Sequence, residues 1–265
     1  MTRSLAGRWI ITVAAGTIGS DLRRRLHDRG VELVSIDIRR AEPAGRRDTV
    51  EICDVADLDG LTRLFGGADG VVHLGGIPDE ADFHDLADVN IVGTYHVLEA
   101  ARRAGVPRVV YASSNRLTGM HPASRTVSAA TPPRPDGFYG VSKVAAEALC
   151  RLYDDKFDVA SVAVRIGSYE QRPGSPREQR TWLSPDDAER AFVAAMTTDV
   201  RAAVFYAVSA NRERWWDAGD GEAVGYHPVD DAAAFGSILP MDPDELQGGP
   251  YATREYSLAR IRDER

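Results

Sequence analysis

Short apolar runs alternate with longer amphipathic stretches along most of the chain. Residues 9–14 (Trp-Ile-Ile-Thr-Val-Ala) form the first run, and 31–38, closing on Asp37, the second. Further runs fall at 70–74, 108–113, 159–166 and 203–208. Between them, 21–29 carries Leu22 and Leu26 at helical spacing, 89–104 is helical until Gly105 and Pro107 stop it, and 139–157 is a long helix. A last helix is expected from Pro185 to about Thr197, with Ser184 as its N-cap. Runs apolar on both faces and separated by helices call for a parallel sheet covered on both sides, an α/β architecture. A proline-rich stretch from Pro122 to Pro135 reads as a surface loop near the site, and Pro173 to Pro185 as a second insertion. The tail after Pro240 is polar and weakly patterned, ends in mixed charge, and is expected to wrap the surface or fray.

Composition narrows the class. The 265 residues, 43% hydrophobic and 27% charged, fit one globular domain with a substantial core. Within it, 116–138 and 168–185 are expected to be substrate-binding insertions, and 209–265 a C-terminal extension. A net charge of −8 and a pI near 5.3 argue against nucleic acid or an anionic membrane as partner, since both need a basic face. The two cysteines, Cys53 and Cys150, have no paired spacing, which disfavours a disulfide framework or zinc knuckle and fits a reducing cytoplasm. The seven-residue apolar run near the start is short for a signal peptide, and no small-residue cleavage site follows, so a buried first strand is the better reading. The six histidines are scattered, and no metal is expected.

Two constellations carry chemistry. The first strand runs into Val13-Ala14-Ala15-Gly16-Thr17-Ile18-Gly19 and then a helix. A glycine turn feeding a helix N-terminus presents backbone N–H groups and the helix dipole to a pyrophosphate. Gly16 would allow close approach of the phosphates, and Gly19 tight helix–strand packing. Asp37 ends the second strand, where a carboxylate accepts from an adenine ribose and repels a 2′-phosphate, favouring NAD over NADP; Arg39 and Arg40 can soften that preference. The alternative is a glycine turn with no ligand. Val13 is the defect: such turns usually have glycine there, and a β-branched residue resists positive φ. Either the turn is reshaped or cofactor binding is weakened.

The second constellation is Ser114 at the end of a strand, with Tyr139 and Lys143 opening the long helix four positions apart and hence on one face. A tyrosine serves as base only if its pKa falls from ~10 toward working pH, a change of roughly 3 units or ~4 kcal/mol. A lysine ammonium beside a nicotinamide can supply that stabilisation, while Ser114 holds the substrate hydroxyl. The bland alternative is an amphipathic tyrosine and a surface lysine.

These segments resemble the extended short-chain dehydrogenase/reductases, and within them the uronate dehydrogenases. The resemblance rests on His73-Leu74-Gly75-Gly76-Ile77, Asn90-Ile91-Val92-Gly93, Ala112-Ser113-Ser114-Asn115, Arg134-Pro135-Asp136-Gly137 with Tyr139-Gly140-Val141-Ser142-Lys143, Val164-Arg165-Ile166-Gly167-Ser168, Thr181-Trp182, and Ser209-Ala210-Asn211 with Trp215-Trp216-Asp217. It implies a Rossmann-type doubly wound fold with a small C-terminal substrate-binding portion, and NAD as cofactor. The implied reaction is hydride transfer from C1 of a cyclic hexuronate, giving an aldarolactone. It further implies that Asp54 and Val55 bracket adenine, that Leu74, Gly75 and Gly76 line the cofactor's far side, and that Asn90 and Ile166 belong to the cofactor site. Arg177 would grip the sugar carboxylate, with Ser168 and Asn115 on the sugar; its alternative is a solvated loop arginine.

Two positions depart from that pattern. Pro78 stands where the family has a serine touching the sugar, and Arg116 replaces a histidine after Asn115. Arg116 either joins Arg177 in favouring a more acidic substrate or points to solvent. Apolar residues on more than one face of the 89–104 and 139–157 helices imply a homo-oligomer, by analogy with related enzymes. The rival readings are an NAD-dependent epimerase or dehydratase on another sugar, and a cofactor-binding protein of the same fold with impaired turnover.

Overall fold

In the computed structural model, residues 4–262 are described. Nine strands occur among them: β1 (Arg8–Thr12), β2 (Glu32–Asp37), β3 (Asp48–Ile52), β4 (Gly70–His73), β5 (Arg108–Ser114), β6 (Ala160–Ile166), β7 (Ser168–Tyr169), β8 (Trp182–Leu183) and β9 (Ala202–Ala207). Seven of them form one parallel sheet in the order β3-β2-β1-β4-β5-β6-β9, and β7 pairs with β8 apart from it. The chain winds outward from β1 in one direction and from β4 in the other, so the crevice at the carboxyl ends of β1 and β4 is the place where such sheets bind ligands.

The helices are α1 (Thr17–Asp28), α2 (Leu58–Phe65), α3 (Phe83–Leu86), α4 (Gly93–Ala104), α5 (Phe138–Phe157), α6 (Glu178–Thr181), α7 (Pro185–Thr197), α8 (Gly219–Ala223) and α9 (Arg254–Leu258). On one face of the sheet, Leu22 and Leu26 of α1 and Ala191, Phe192 and Met196 of α7 pack on Ile11, Val110 and Val162. On the other, Leu61 and Phe65 of α2, Val97 and Leu98 of α4 and Ala146 of α5 pack on Ile10, Val71 and Val109. Full burial of each large aliphatic side chain is worth about 1.5–3 kcal/mol, which makes the two-sided covering the main source of stability. A third cluster joins Val127 to Tyr206, Val208, Trp215 and Trp216, tying the 116–138 insertion to the C-terminal extension.

Several elements depart from the apolar pattern. Helix α1 begins a turn before residue 21, capped by the extended backbone of Gly16. Strand β3 is an edge strand whose Ile52 is exposed, and α2 is a two-turn helix capped by Asp57, so neither has a long apolar signature. The helix expected at 89–104 begins earlier, at Phe83, and is three joined pieces: α3, one π-helical stretch (Ala87–Val92), and α4. Ser184 caps α7 as expected, accepting from the Asp187 N–H. The tail does not fray up to Arg262; it docks on the cleft described below. Its last three residues, like the first three of the chain, lie outside the described residues. No described helix is long and apolar enough to cross a membrane.

Candidate active site

The nucleotide side of the crevice is made mostly of backbone. Val13 takes φ +53°, in the left-handed region, so the turn keeps its shape with valine where glycine is cheaper. For a β-branched residue that conformation stores roughly 1–2 kcal/mol. The Gly16 N–H donates to the Val13 carbonyl (3.1 Å), and α1 starts at Thr17 with Ile18 in its first turn. Gly19 is sterically required: a Cβ there would run into the Val13 carbonyl oxygen and the Ala14 backbone. Asp37, buried at the end of β2, accepts from the Ala15 N–H and the Arg39 N–H, both at 2.9 Å, with the exposed Arg39 guanidinium 3.6 Å away. The carboxylate thus pins the glycine turn to the strand beside it. Asp54 is exposed after β3 and accepts from the Ala56 N–H, while the Val55 carbonyl accepts from His96.

Beyond β4, Leu74, Gly75 and Gly76 form a loop held from two sides. The neutral ring of His73, fully buried and pushed down to about 3 by desolvation, is fixed in one tautomer by its partners. Its Nδ1 accepts from Thr12 Oγ1 (2.7 Å) and the Gly75 N–H (3.3 Å), leaving Nε2–H to donate to Thr94 Oγ1 (3.2 Å). Gly76 sits at φ +140°, where a Cβ would strike the Asn90 side chain. Asn90 is fully buried in the π-helical stretch; it exchanges hydrogen bonds with the Ile77 backbone (2.7 and 3.2 Å) and donates to Ser142 Oγ (3.0 Å). It therefore holds the loop to α5, and its polar atoms are spent on the protein. Pro78 is exposed on the far end of this loop.

Ser114, Tyr139 and Lys143 come together at the carboxyl end of β5, all three buried. Ser114 caps the short helical turn after β5, accepting from the Arg116 N–H (3.2 Å), and its hydroxyl acts on the Tyr139 phenol to lower its pKa. Lys143 Nζ donates to the Ala112 carbonyl (3.0 Å) and lies 5.5 Å from the centre of the Tyr139 ring. Burial pushes the phenol up to about 12, against the pull of Ser114 and of the Arg116 charge, and pulls Lys143 down to about 8. The Arg116 charge thus also acts on the phenol in the protein alone, a contribution the residue spacing did not suggest. The N-terminus of α5 is capped from far away: Glu80 accepts from the Phe138 and Tyr139 N–H groups at 2.9 and 3.0 Å.

The opposite wall of the crevice is built from side chains. Arg177 is half-buried, and burial lowers its pKa. It donates to Ser168 Oγ (3.3 Å), Asn115 Oδ1 (3.3 Å) and the Gln247 carbonyl (2.8 Å), and among the described residues it has no carboxylate partner. Asn115 in turn donates to the Ile166 carbonyl (2.9 Å). Arg116 does not point to solvent. Its guanidinium meets Asp136 (2.5 Å), Asp79 (3.1 Å) and Glu80 (3.8 Å), and Tyr251 lies over it at 4.1 Å. Burial raises Asp136 to about 6 despite that cation. Among the described residues, no group of His, Cys, Asp and Glu is placed to hold a metal ion.

A doubly wound sheet, a glycine turn at its switch point and a serine–tyrosine–lysine cluster on the adjoining strand and helix define a nucleotide-dependent oxidoreductase scaffold. Residues 9–172 match the NAD dependent epimerase/dehydratase family, and the chain belongs to it. It is 38% identical to the uronate dehydrogenase of Pseudomonas syringae pv. tomato, with 94% of each chain covered. A mutant uronate dehydrogenase from Agrobacterium tumefaciens, solved in complex with NAD, superimposes with a TM-score of 0.86 at 38% identity, covering 92% of this chain and 96% of that one. A glucuronic acid dehydrogenase from Chromohalobacter salexigens gives a TM-score of 0.86 at 36% identity over 95% and 97% of the two chains. The protein is thus an NAD-dependent enzyme of the short-chain dehydrogenase/reductase type.

Proposed function

We propose that this enzyme oxidises C1 of a cyclic hexuronate to the aldarolactone. One observation carries the substrate class: a half-buried guanidinium, Arg177, that has no carboxylate partner among the described residues shares a cleft with the Ser114–Tyr139 pair. A buried cation is costly unless paired, and a planar fork matches a carboxylate. The near full-length similarity to uronate dehydrogenases supports the same reading.

The residues on the nucleotide side fit NAD. The N-terminus of α1 at Thr17, Ile18 and Gly19 would take the pyrophosphate, with Gly16 allowing its close approach while its own N–H is bonded to Val13; Asp37 would reach the adenosine ribose, and Asp54 and Val55 would flank the adenine. Leu74, Gly75, Gly76 and Ile166 line the nicotinamide half, with Asn90 holding their loop. NAD supplies the hydride acceptor. Tyr139, as phenolate, takes the proton of the C1 hydroxyl that Ser114 orients, as the C1 hydrogen leaves with its electron pair. Lys143, protonated below about pH 8, holds the nicotinamide ribose and favours the phenolate. Because the phenol starts high, turnover rises with pH through the neutral range. Asn115, Ser168 and Arg177 hold the ring and its carboxylate; Pro78 offers only an apolar edge where a hydroxyl would donate. Val13 leaves the turn's shape intact, so no observation favours a non-catalytic cofactor sensor.

Glucuronate or galacturonate with NAD should produce absorbance at the NADH wavelength, whereas glucose, lacking the carboxylate, should react far more slowly. Folded protein that reduces NAD with neither acid refutes the substrate. We also read the exposed Val92 at the end of the π-helical stretch, Tyr95 on α4 and Val141 and Leu152 on α5 as a self-association face, and the free, buried cysteines as suited to a reducing cytoplasm.

A further inference from the structure

We propose that Arg116 is a positioning residue that clasps the C-terminal segment, residues 246–262, over the sugar side of the cleft. The inference rests on the uronate reading only for its kinetic arm. Arg116 is the buried hub of an ionic cluster drawn from three places in the chain: the part-exposed Asp79 and buried Glu80 after β4, buried Asp136 before α5, and the arginine itself after β5. The C-terminal segment binds that same cluster. Tyr256 donates its phenol to Asp79 (2.5 Å), Ser257 donates to Glu80 (2.9 Å), and the Arg262 N–H donates to Asp82 (3.1 Å). The Tyr251 and Tyr256 rings lie 4.1 and 5.7 Å from the Arg116 guanidinium, and Tyr251 also lies 5.4 Å from that of Arg177. One tyrosine from the tail is therefore packed against both arginines.

Two consequences follow from this arrangement. Three carboxylates surround Arg116, so it offers no free charge to a substrate, and Arg177 is left to bind a single carboxylate. The same segment also fixes Arg177 directly, because the Gln247 carbonyl accepts from its Nε. Releasing the segment removes one anchor and one aromatic wall from the substrate-gripping guanidinium, while the nucleotide turn is untouched. The clasp is also incompletely bonded: among the described residues, Arg116 Nη2 and Asp136 Oδ2 are buried without a hydrogen-bond partner. An ionic cluster with unmet polar atoms gains from water when it opens, so opening costs less than for a saturated one.

The test uses the full chain and works from both sides of the clasp. Amide exchange of residues 249–258 in the Tyr256→Phe/Ser257→Ala double variant should speed up by ~10-fold or more, as expected for a locally opened segment. With glucuronate, KM should rise by ~5–10-fold while kcat and the NAD dissociation constant stay within about two-fold, the signature of lost substrate binding. Arg116→Gln should reproduce the faster exchange and the rise in KM, with a fall in kcat besides because its charge also acts on the Tyr139 phenol, and Arg116→Lys should restore part of each. If Arg116→Gln fails to fold, the double variant carries the test alone. Unchanged exchange in the double variant overturns the clasp, as does a fall in kcat with KM unaltered. The exchange arm needs no substrate, so a protein inert to uronates refutes the substrate reading without touching the clasp.

Discussion

The two halves of the cleft are built by opposite means. The nucleotide half uses backbone: a left-handed residue, a helix N-terminus, glycines where no Cβ fits, and a single carboxylate bonded to main-chain N–H groups. The half proposed for the sugar uses charged side chains brought from four separate segments, with Arg116 and Arg177 at its centre. Backbone sites present fixed dipoles and tolerate side-chain change around them, whereas a side-chain site is redirected by one substitution. The contrast explains how one scaffold keeps its cofactor while the substrate varies.

The largest effect is expected at the seam between the halves. Tyr139→Phe should lower kcat by ~10³-fold or more, since a positioned base contributes ~10²–10⁴ and the ionic arrangement favours no substitute. NAD affinity should stay within a few-fold, measured by calorimetry; retained turnover removes Tyr139 from the chemistry. Next comes acid stability on the nucleotide side. His73 is depressed to about 3 in the folded chain, so the unfolded chain takes up its proton below ~6.5 and the folded one does not. Stability is therefore present above pH ~6.5 and lost as pH falls toward 3, by about 3 kcal/mol between pH 7 and 4 from this residue. Urea midpoints at those two pH values should diverge less in His73→Asn, and equal slopes would show that the ring does not govern the loss.

On the sugar side, Arg177→Leu should cost ~10²-fold in kcat/KM for glucuronate, the loss of one or two charged hydrogen bonds at ~1.5–3 kcal/mol each. The residual slow reaction with glucose should hardly change, and a parallel loss on both sugars would blur the distinction between the halves. The smallest effect belongs to Val13→Gly. Relief of left-handed strain is offset by the added freedom of the unfolded chain, leaving a change within ~1 kcal/mol of either sign in thermal unfolding. NAD affinity should be equal to or tighter than that of the parent, and a weakened affinity would mean that the valine side chain itself contacts the cofactor.

What the sequence revealed and what it hid divide along the range of the interactions. The glycine turn, Asp37 at a strand end and the four-residue spacing of Tyr139 and Lys143 are local patterns, and the fold places them as expected. The alternation of strands and helices likewise pointed to the parallel sheet, because strands buried on both faces are mostly apolar. Glu80 capping a helix that begins 58 residues later leaves no local trace, nor does a tail that returns to bond residues 177 positions earlier. Arg116 was legible as a charge next to the site but not as a neutralised one, because its three partners are spread across 57 residues of sequence.

The wide helical turn at Ala87–Val92 sets Asn90 against both the Ile77 loop and Ser142. An α-helix advances its side chains by about 100° per residue, so a single deletion within that stretch would swing the amide away from both. At this spot the number of residues matters as much as their identity. A survey of lengths here, made without regard to which amino acids are present, would separate chains that can brace the loop from those that cannot.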